Sequence, residues 1–475
     1  MQFAELSYFG INYMIQFLGF FYAYGSVGLG FVFLVVALFC ARQYKAGGIF
    51  LGIAPAFHAM QGALLGAAML IVLLWDFKRL RQHLIPTLKY FAVGCLVTGA
   101  SLALHKLTID DVPKIRPDIA REFVNAVIRY WDPHRSPVNL LSLNFYFAVL
   151  CSLTSFSLLT FCKKDLPDHF HFPLRFFSVI GIIGITACLV THIPPDLIDP
   201  LLIRFMPARI LNVNVLGLIP LLVGIMAFYK DDFLIQLNLF FLVLVLFLAL
   251  AFHPPYWGRL MALMLTLSAA ILVLRTSVFS GSPWLRSRSD LPQTGTATIM
   301  TLVVAIAGAQ AYTSWDDYKS MFQYWGNNSM FAKIHEGKGS LLLADSNLVY
   351  QMQLYTQHPV LLGSFSTEIA YVPEAGPESD RILKEVYGID LFNPLPETKK
   401  TRGFPMNELQ KLWESRTLEE WKEIKEKFSV ADIFVNADWK LQLPLSHPPE
   451  WITLYAAGGG LDIKNKKQYI LYGIP

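Results

Sequence analysis

Arg204 and Arg209 stand in the segment 191–209, THIPPDLIDPLLIRFMPAR, which Pro194, Pro195, Pro200 and Pro207 break and two long apolar runs flank. A guanidinium is a planar fork of donors that matches phosphate oxygens, so two of them at the surface of a bilayer predict a clamp for a lipid-linked phosphate or diphosphate. Arg259, just after the turn His253-Pro254-Pro255-Tyr256, is a third candidate for the same clamp, and His253 a further ligand contact. The competing reading pairs the arginines with Asp196 or Asp199 and lets their stems snorkel to lipid headgroups.

Other groups could do chemistry with them. The segment 108–137 holds Asp110 and Asp111, an amphipathic piece over 117–130, and the run Trp131-Asp132-Pro133-His134-Arg135. A carboxylate there could deprotonate an acceptor hydroxyl or hold a divalent cation beside a phosphate leaving group; the plain alternative is a solvated cap before a proline turn. His58 follows Pro55 in APAFHAMQGALLG, where a polar group at membrane depth is either functional or a hydrogen bonder between helices. His105, His192 and His253 share that ambiguity. No two histidines have metal-ligand spacing, and Cys40, Cys95, Cys151, Cys162 and Cys188 form no CxxC, so no metal, cofactor or disulfide framework is expected, beyond a divalent cation that Asp110 and Asp111 would recruit.

The elements that position these residues follow from composition. With 54% hydrophobic and 16% charged residues over 475 and a mean hydropathy of +0.44, the apolar runs exceed what one soluble core could hide. The chain reads as a polytopic α-helical membrane protein. Its net charge of +4 is dispersed, with no basic tract interleaved with aromatics, which argues against nucleic acid as a partner. Glu5 stands where a signal peptide would carry positive charge, so no cleavable signal is expected. Spans are predicted near 7–24, 26–41, 85–107, 138–162, 174–192, 210–228, 233–252, 257–274 and 296–314, at roughly 20 residues each. The stretch 49–75, broken at Pro55 and bounded by basic residues on both sides, reads as a re-entrant hairpin, giving about ten membrane segments in all.

With that hairpin, Arg42 and Lys45, Lys78, Arg79 and Arg81, Lys163 and Lys164, Lys230, and Arg275, Arg286 and Arg288 fall on one side, which the positive-inside rule makes cytoplasmic. A single straight span through 49–75 would invert everything before it. The opposite side receives the loops 108–137 and 191–209 and all that follows the transmembrane domain of 1–314.

Composition changes after Trp315. Strand patterns at 341–344, 360–362, 433–436, 452–456 and 469–472 alternate with helix patterns at 377–387, 406–413 and 417–428, the last opened by the capping-box spacing of Thr417 and Glu420. This predicts a small soluble exterior α/β domain over 315–475, large enough for its own core. Asp345 should close a strand at its carboxyl end, where such sheets bind ligands. Gly458 to Gly460 reads as a hairpin turn. Trp413, Trp421, Trp439 and Trp451 are either core residues or stacking platforms for carbohydrate.

The many outward-crossing helices, the hairpin with a His after Pro, the arginine-bearing exterior segment and the C-terminal α/β domain together resemble bacterial membrane proteins of the C-type glycosyltransferase fold. The tail segments QLYTQHPVLL, YVPEAG and RILKEVYGIDLFNP are similar to the tails of uncharacterised members of that group. The resemblance implies an inner-membrane protein of cell-envelope polysaccharide or glycolipid assembly with a periplasmic C-terminal domain. It would take a sugar from a polyprenyl-phosphate donor held by Arg204, Arg209 and Arg259, work among membrane lipid, and contact other envelope-assembly proteins. Members carry an acidic residue in the first long exterior loop. The link at 22–26 is short and has no acid, so Asp110 and Asp111 would replace it, the catalytic front end would be missing, or the chain would be a non-catalytic transporter, flippase or scaffold for the same lipid-linked glycans.

Overall fold

The computed structural model describes residues 24–108, 114–132, 135–161, 166–194, 197–198, 202, 206–228, 238, 267–268, 270–271, 339–345, 348–363, 365–446, 452–455 and 466–475. The expected spans 7–24 and 296–314, and nearly all of 233–252 and 257–274, lie outside these residues. The described chain is mostly helical with one small sheet. Its bundle comprises α1 (Tyr24–Cys40), α2 (Tyr44–Phe57), α3 (Ala59–Trp75), α4 (Phe77–Thr108), α6 (Leu143–Phe161), α7 (Asp168–Val190) and α8 (Leu211–Phe228); α5 (Pro117–Tyr130) belongs elsewhere. Among the described residues, the stretches Phe77–Thr108, Phe170–Val190 and Ala208–Met226 are long and apolar enough to cross a membrane. On α4 the apolar side chains point outward, with Leu96 73% and Leu107 83% exposed, as suits a helix whose solvent is lipid.

The hairpin arises from a local conflict. Pro55 cannot donate to its helix, and at His58 the backbone turns extended (φ −156°, ψ 101°), ending α2 and starting α3. The His58 Nδ1 accepts from the Gln61 N–H at 3.4 Å. Glycines bring α2 onto α4: a Cβ on Gly52 would strike the Phe91 carbonyl and one on Gly94 the Ile49 carbonyl, and Thr98 Oγ1 donates to the Gly52 carbonyl oxygen at 2.7 Å. The chain then returns to the end it left. Tyr44 stacks on His83 at 4.2 Å, Asp76 pairs with Arg175 of α7, and Arg79 contacts His171 at 3.3 Å. Arms of 14 and 17 residues span roughly 21 and 26 Å at 1.5 Å per residue, each short of a ~30 Å hydrocarbon core.

The second unit is a mixed sheet in the order β1-β2-β4-β3, formed by β1 (Ser340–Leu343), β2 (Val430–Asn436), β3 (Ile452–Tyr455) and β4 (Lys466–Gly473). β1 runs parallel to β2; β4 is antiparallel to β2 and β3. The helices between β1 and β2 are α9 (Val349–Thr356), α10 (Phe365–Tyr371), α11 (Gly376–Tyr387), α12 (Pro396–Thr401), α13 (Met406–Ser415) and α14 (Leu418–Phe428). The Thr417–Glu420 capping box opens α14 as expected. The strand expected at 360–362 does not form. Val360 makes a single bridge to Leu341, because Pro359 has no N–H for a ladder and the chain bends away after two bonds.

The segment 108–137 is more than an exterior loop. Phe123, Val127 and Trp131, on or just after α5, sit in one core with Leu342, Ile369, Leu383, Trp413 and Trp421, and Trp131 Nε1 donates to the Leu391 carbonyl oxygen at 2.9 Å. An insertion between bundle helices thus completes the α/β core, more than two hundred residues away in sequence. Trp413, Trp421 and Trp439 are buried in that core and meet edge-on at 5.7 and 5.6 Å. That removes them as carbohydrate platforms; Trp451 lies outside the described residues.

Candidate functional site

A cavity of about 210 Å³ opens where the end of the bundle meets the α/β unit. Its floor is the end of α7 and the chain that follows. Thr191 donates to the Cys188 carbonyl at 2.6 Å and accepts from the Val138 N–H at 3.1 Å, and His192 Nε2 lies 2.8 Å from the Val138 carbonyl, so 136–138 is tied alongside. Met206 adopts the left-handed region (φ 46°) and Pro207 opens the short turn Pro207–Ile210 that carries Arg209. This is the break that the prolines of 191–209 foreshadow.

Three more arginines reach the cavity from the other side: Arg129, Arg135 and Arg402. Arg135 is 1% exposed and paired with the equally buried Asp132, its guanidinium 4.7 Å from the centre of the Tyr371 ring. Arg402, at the left-handed C-cap of α12 (φ 58°), donates through Nη1 to the carbonyls of Ile128 and Asp132 at 2.8 and 2.7 Å. It thereby caps the free carbonyls at the end of α5, where a cation also meets the negative end of the helix dipole. Burial holds its pKa below the ordinary arginine value, with Asp132 opposing the shift. Among the described residues, the lining holds four arginines and no carboxylate, and the remaining wall is largely apolar, including Ile193, Ile198 and Met206. Guanidinium donors above an apolar wall suit an anion that carries a hydrocarbon chain.

Of the residues singled out in the sequence, the structure brings Arg209 and His192 to this cavity and packs α3, which starts after His58, against the turn that carries Arg209. Asp110, Asp111, Arg204, Arg259 and His253 lie outside the described residues. Asp345 does follow β1, away from the cavity. Among the described residues no group of three or more His, Cys, Asp or Glu side chains is placed to hold a metal ion. Sequence reasoning missed Arg129, Arg135 and Arg402 as members of the site. The first two sat in view within 108–137, but Arg402 has no local signal, since only tertiary docking brings it to α5. No family model matches the chain, and no curated protein or solved structure matches it either.

Proposed function

We propose that this is an inner-membrane protein of cell-envelope polysaccharide or glycolipid assembly that holds a polyprenyl-phosphate-linked sugar, with the phosphate in the arginine cavity. The observation that supports this reading is the meeting of Arg209 with Arg129, Arg135 and Arg402 around one partly apolar cavity. Charge supports an orientation: Arg42 and Arg79 line a cavity at the opposite end of the bundle, so under the positive-inside rule that end would be cytoplasmic and the arginine cavity and α/β domain periplasmic. In a transferase, these arginines would contribute to rate by stabilising the departing lipid phosphate, and Asp110 or Asp111 would supply the base or hold a divalent cation.

The test is polyprenyl-phosphate binding to the purified full-length protein in nanodiscs, with unphosphorylated polyprenol as control. Arg209→Ala should weaken binding of the phosphate at least ~10-fold, the loss of roughly 1.4 kcal/mol or more expected for a charge-assisted contact. Equal affinity in the variant sinks the reading. A second reading, a non-catalytic flippase or assembly scaffold for the same lipids, draws on the helical hairpin broken at His58, whose second arm packs against the turn that carries Arg209. Sugar transfer in vitro that is abolished in Asp110→Asn/Asp111→Asn would exclude it.

A further inference from the structure

A second concavity of about 400 Å³ lies on the other side of Arg129. It is a different kind of site. Asp118, Glu122, Asn125 and Arg129 recur at 4-, 3- and 4-residue spacing along α5, so they form one polar stripe. The opposite stripe of the same helix, Phe123 and Val127, is buried in the α/β core. Phe392 borders the groove with its ring packed 5.1 Å from that of Phe123 on the buried stripe, and Tyr130 lies at the end of the groove. Both Tyr130 and Phe392 are half-buried, with Lys399 5.4 Å from the centre of the Tyr130 ring and Lys384 5.9 Å from that of Phe392.

The two concavities differ in the ligand they can satisfy. The arginine cavity offers donors and no carboxylate, which selects an anion. The groove offers two carboxylate acceptors, an amide, guanidinium donors and two aromatic rings, a mixture that repels neither sign and rewards a neutral ligand rich in both donors and acceptors. A pyranose is that ligand: its hydroxyls give and accept hydrogen bonds around the ring, and its C–H faces pack on aromatics. At about 400 Å³ the groove lies within the ~300–1,000 Å³ of ordinary small-molecule sites. Arg129 lines both concavities, so one side chain borders both a phosphate in one and a sugar in the other.

We propose that the groove formed by Asp118, Glu122, Asn125, Arg129, Tyr130 and Phe392 is a saccharide subsite, which receives the glycan whose lipid phosphate occupies the arginine cavity. It rests on the reading of that cavity given above, and the two are separable by probe. The full-length protein in nanodiscs, free of sugar-headed detergent, is applied to an array of hexose, N-acetylhexosamine, deoxyhexose and hexuronate oligosaccharides carrying no phosphate. At least one glycan is retained, and Asp118→Asn/Glu122→Gln, two exposed conservative changes, weakens it 10-fold or more; Tyr130→Ala does the same. No retained glycan, or retention equal in wild type and Asp118→Asn/Glu122→Gln, overturns the proposal. Polyprenyl phosphate without sugar probes the cavity alone. Glycan binding without polyprenyl-phosphate binding rejects the cavity reading and keeps the groove, whereas the reverse result rejects the groove.

Discussion

The cavities at the two ends of the bundle are close in size, about 190 Å³ and 210 Å³, and opposite in the use they make of charge. At the first, Asp76 is committed to Arg175, with the two side chains 11% and 7% exposed, Arg79 to His171, and His83 to the ring of Tyr44. These contacts join the base of the hairpin to α7 and α4, so the charge there holds the fold. At the second, arginines from α5, the turn after Met206 and the α/β unit converge with no carboxylate among the described lining residues. Arg135 is paired there with Asp132, just behind the lining, and Arg402 with the carbonyls of Ile128 and Asp132, so the arginines are positioned by the fold while they border a partly apolar cavity. At one end the charges join bundle helices to each other; at the other they join the bundle end to the α/β unit around a cavity.

The largest effect expected from this contrast is at the first cavity. Asp76→Ala leaves Arg175 buried without its carboxylate and should destabilise the protein by about 3–5 kcal/mol, read from denaturant unfolding in nanodiscs. The double change Asp76→Leu/Arg175→Leu should recover most of the loss, because an apolar pair of similar volume needs no charge compensation. A cost below ~1 kcal/mol for Asp76→Ala would break the distinction between the two ends.

At the second cavity the effect should be smaller. Arg402→Ala removes two donated hydrogen bonds to the Ile128 and Asp132 carbonyls and should cost about 2 kcal/mol. It should also loosen α5 from the α/β unit, raising amide exchange over 124–132; exchange confined to α12 would place the effect on that helix alone.

A site outside both cavities sets the baseline. Thr417→Ala should cost about 1 kcal/mol through the lost N-cap of α14. Hydrogen bonds from the backbone and side chain of Thr417 hold the Glu420 carboxyl below its ordinary pKa. A depressed acid contributes its stability above its unfolded pKa and loses it as pH falls through the folded one. Wild type should therefore lose this small increment on acidification below the usual carboxylate range, and Thr417→Ala, which keeps the backbone N–H bond to Glu420 but not the side-chain one, should lose less of it; parallel pH profiles would show that the side-chain cap does not couple to titration.

Legibility divided along the range of the interactions. Strands at 341–344, 433–436 and 469–472, helices at 377–387 and 406–413 and the capping box at 417–420 were readable because alternation and i, i+3, i+4 periodicity report which face is buried within one element. The strand at 360–362 misled because its residues have strand propensity but Pro359 denies them a ladder. For the site, Arg209 was readable as a cation in a proline-broken segment between two long apolar runs. The tryptophans were ambiguous until packing settled them, since an indole buried in a core and one laid open to a ligand have the same local sequence.

By itself, the sequence determined the apolar runs long enough to cross a membrane, the break near Pro55, the small α/β unit and the proline-broken segment that carries Arg209, because apolar run length, alternation and proline act over a few residues. Tertiary structure decided that α5 leaves the bundle to complete the α/β core, that Arg402 caps α5 from some 270 residues away, and that Arg209 thereby gains three arginine neighbours. Such docking depends on the shape and unsatisfied carbonyls of two surfaces that meet only once both have folded, and no local pattern records it.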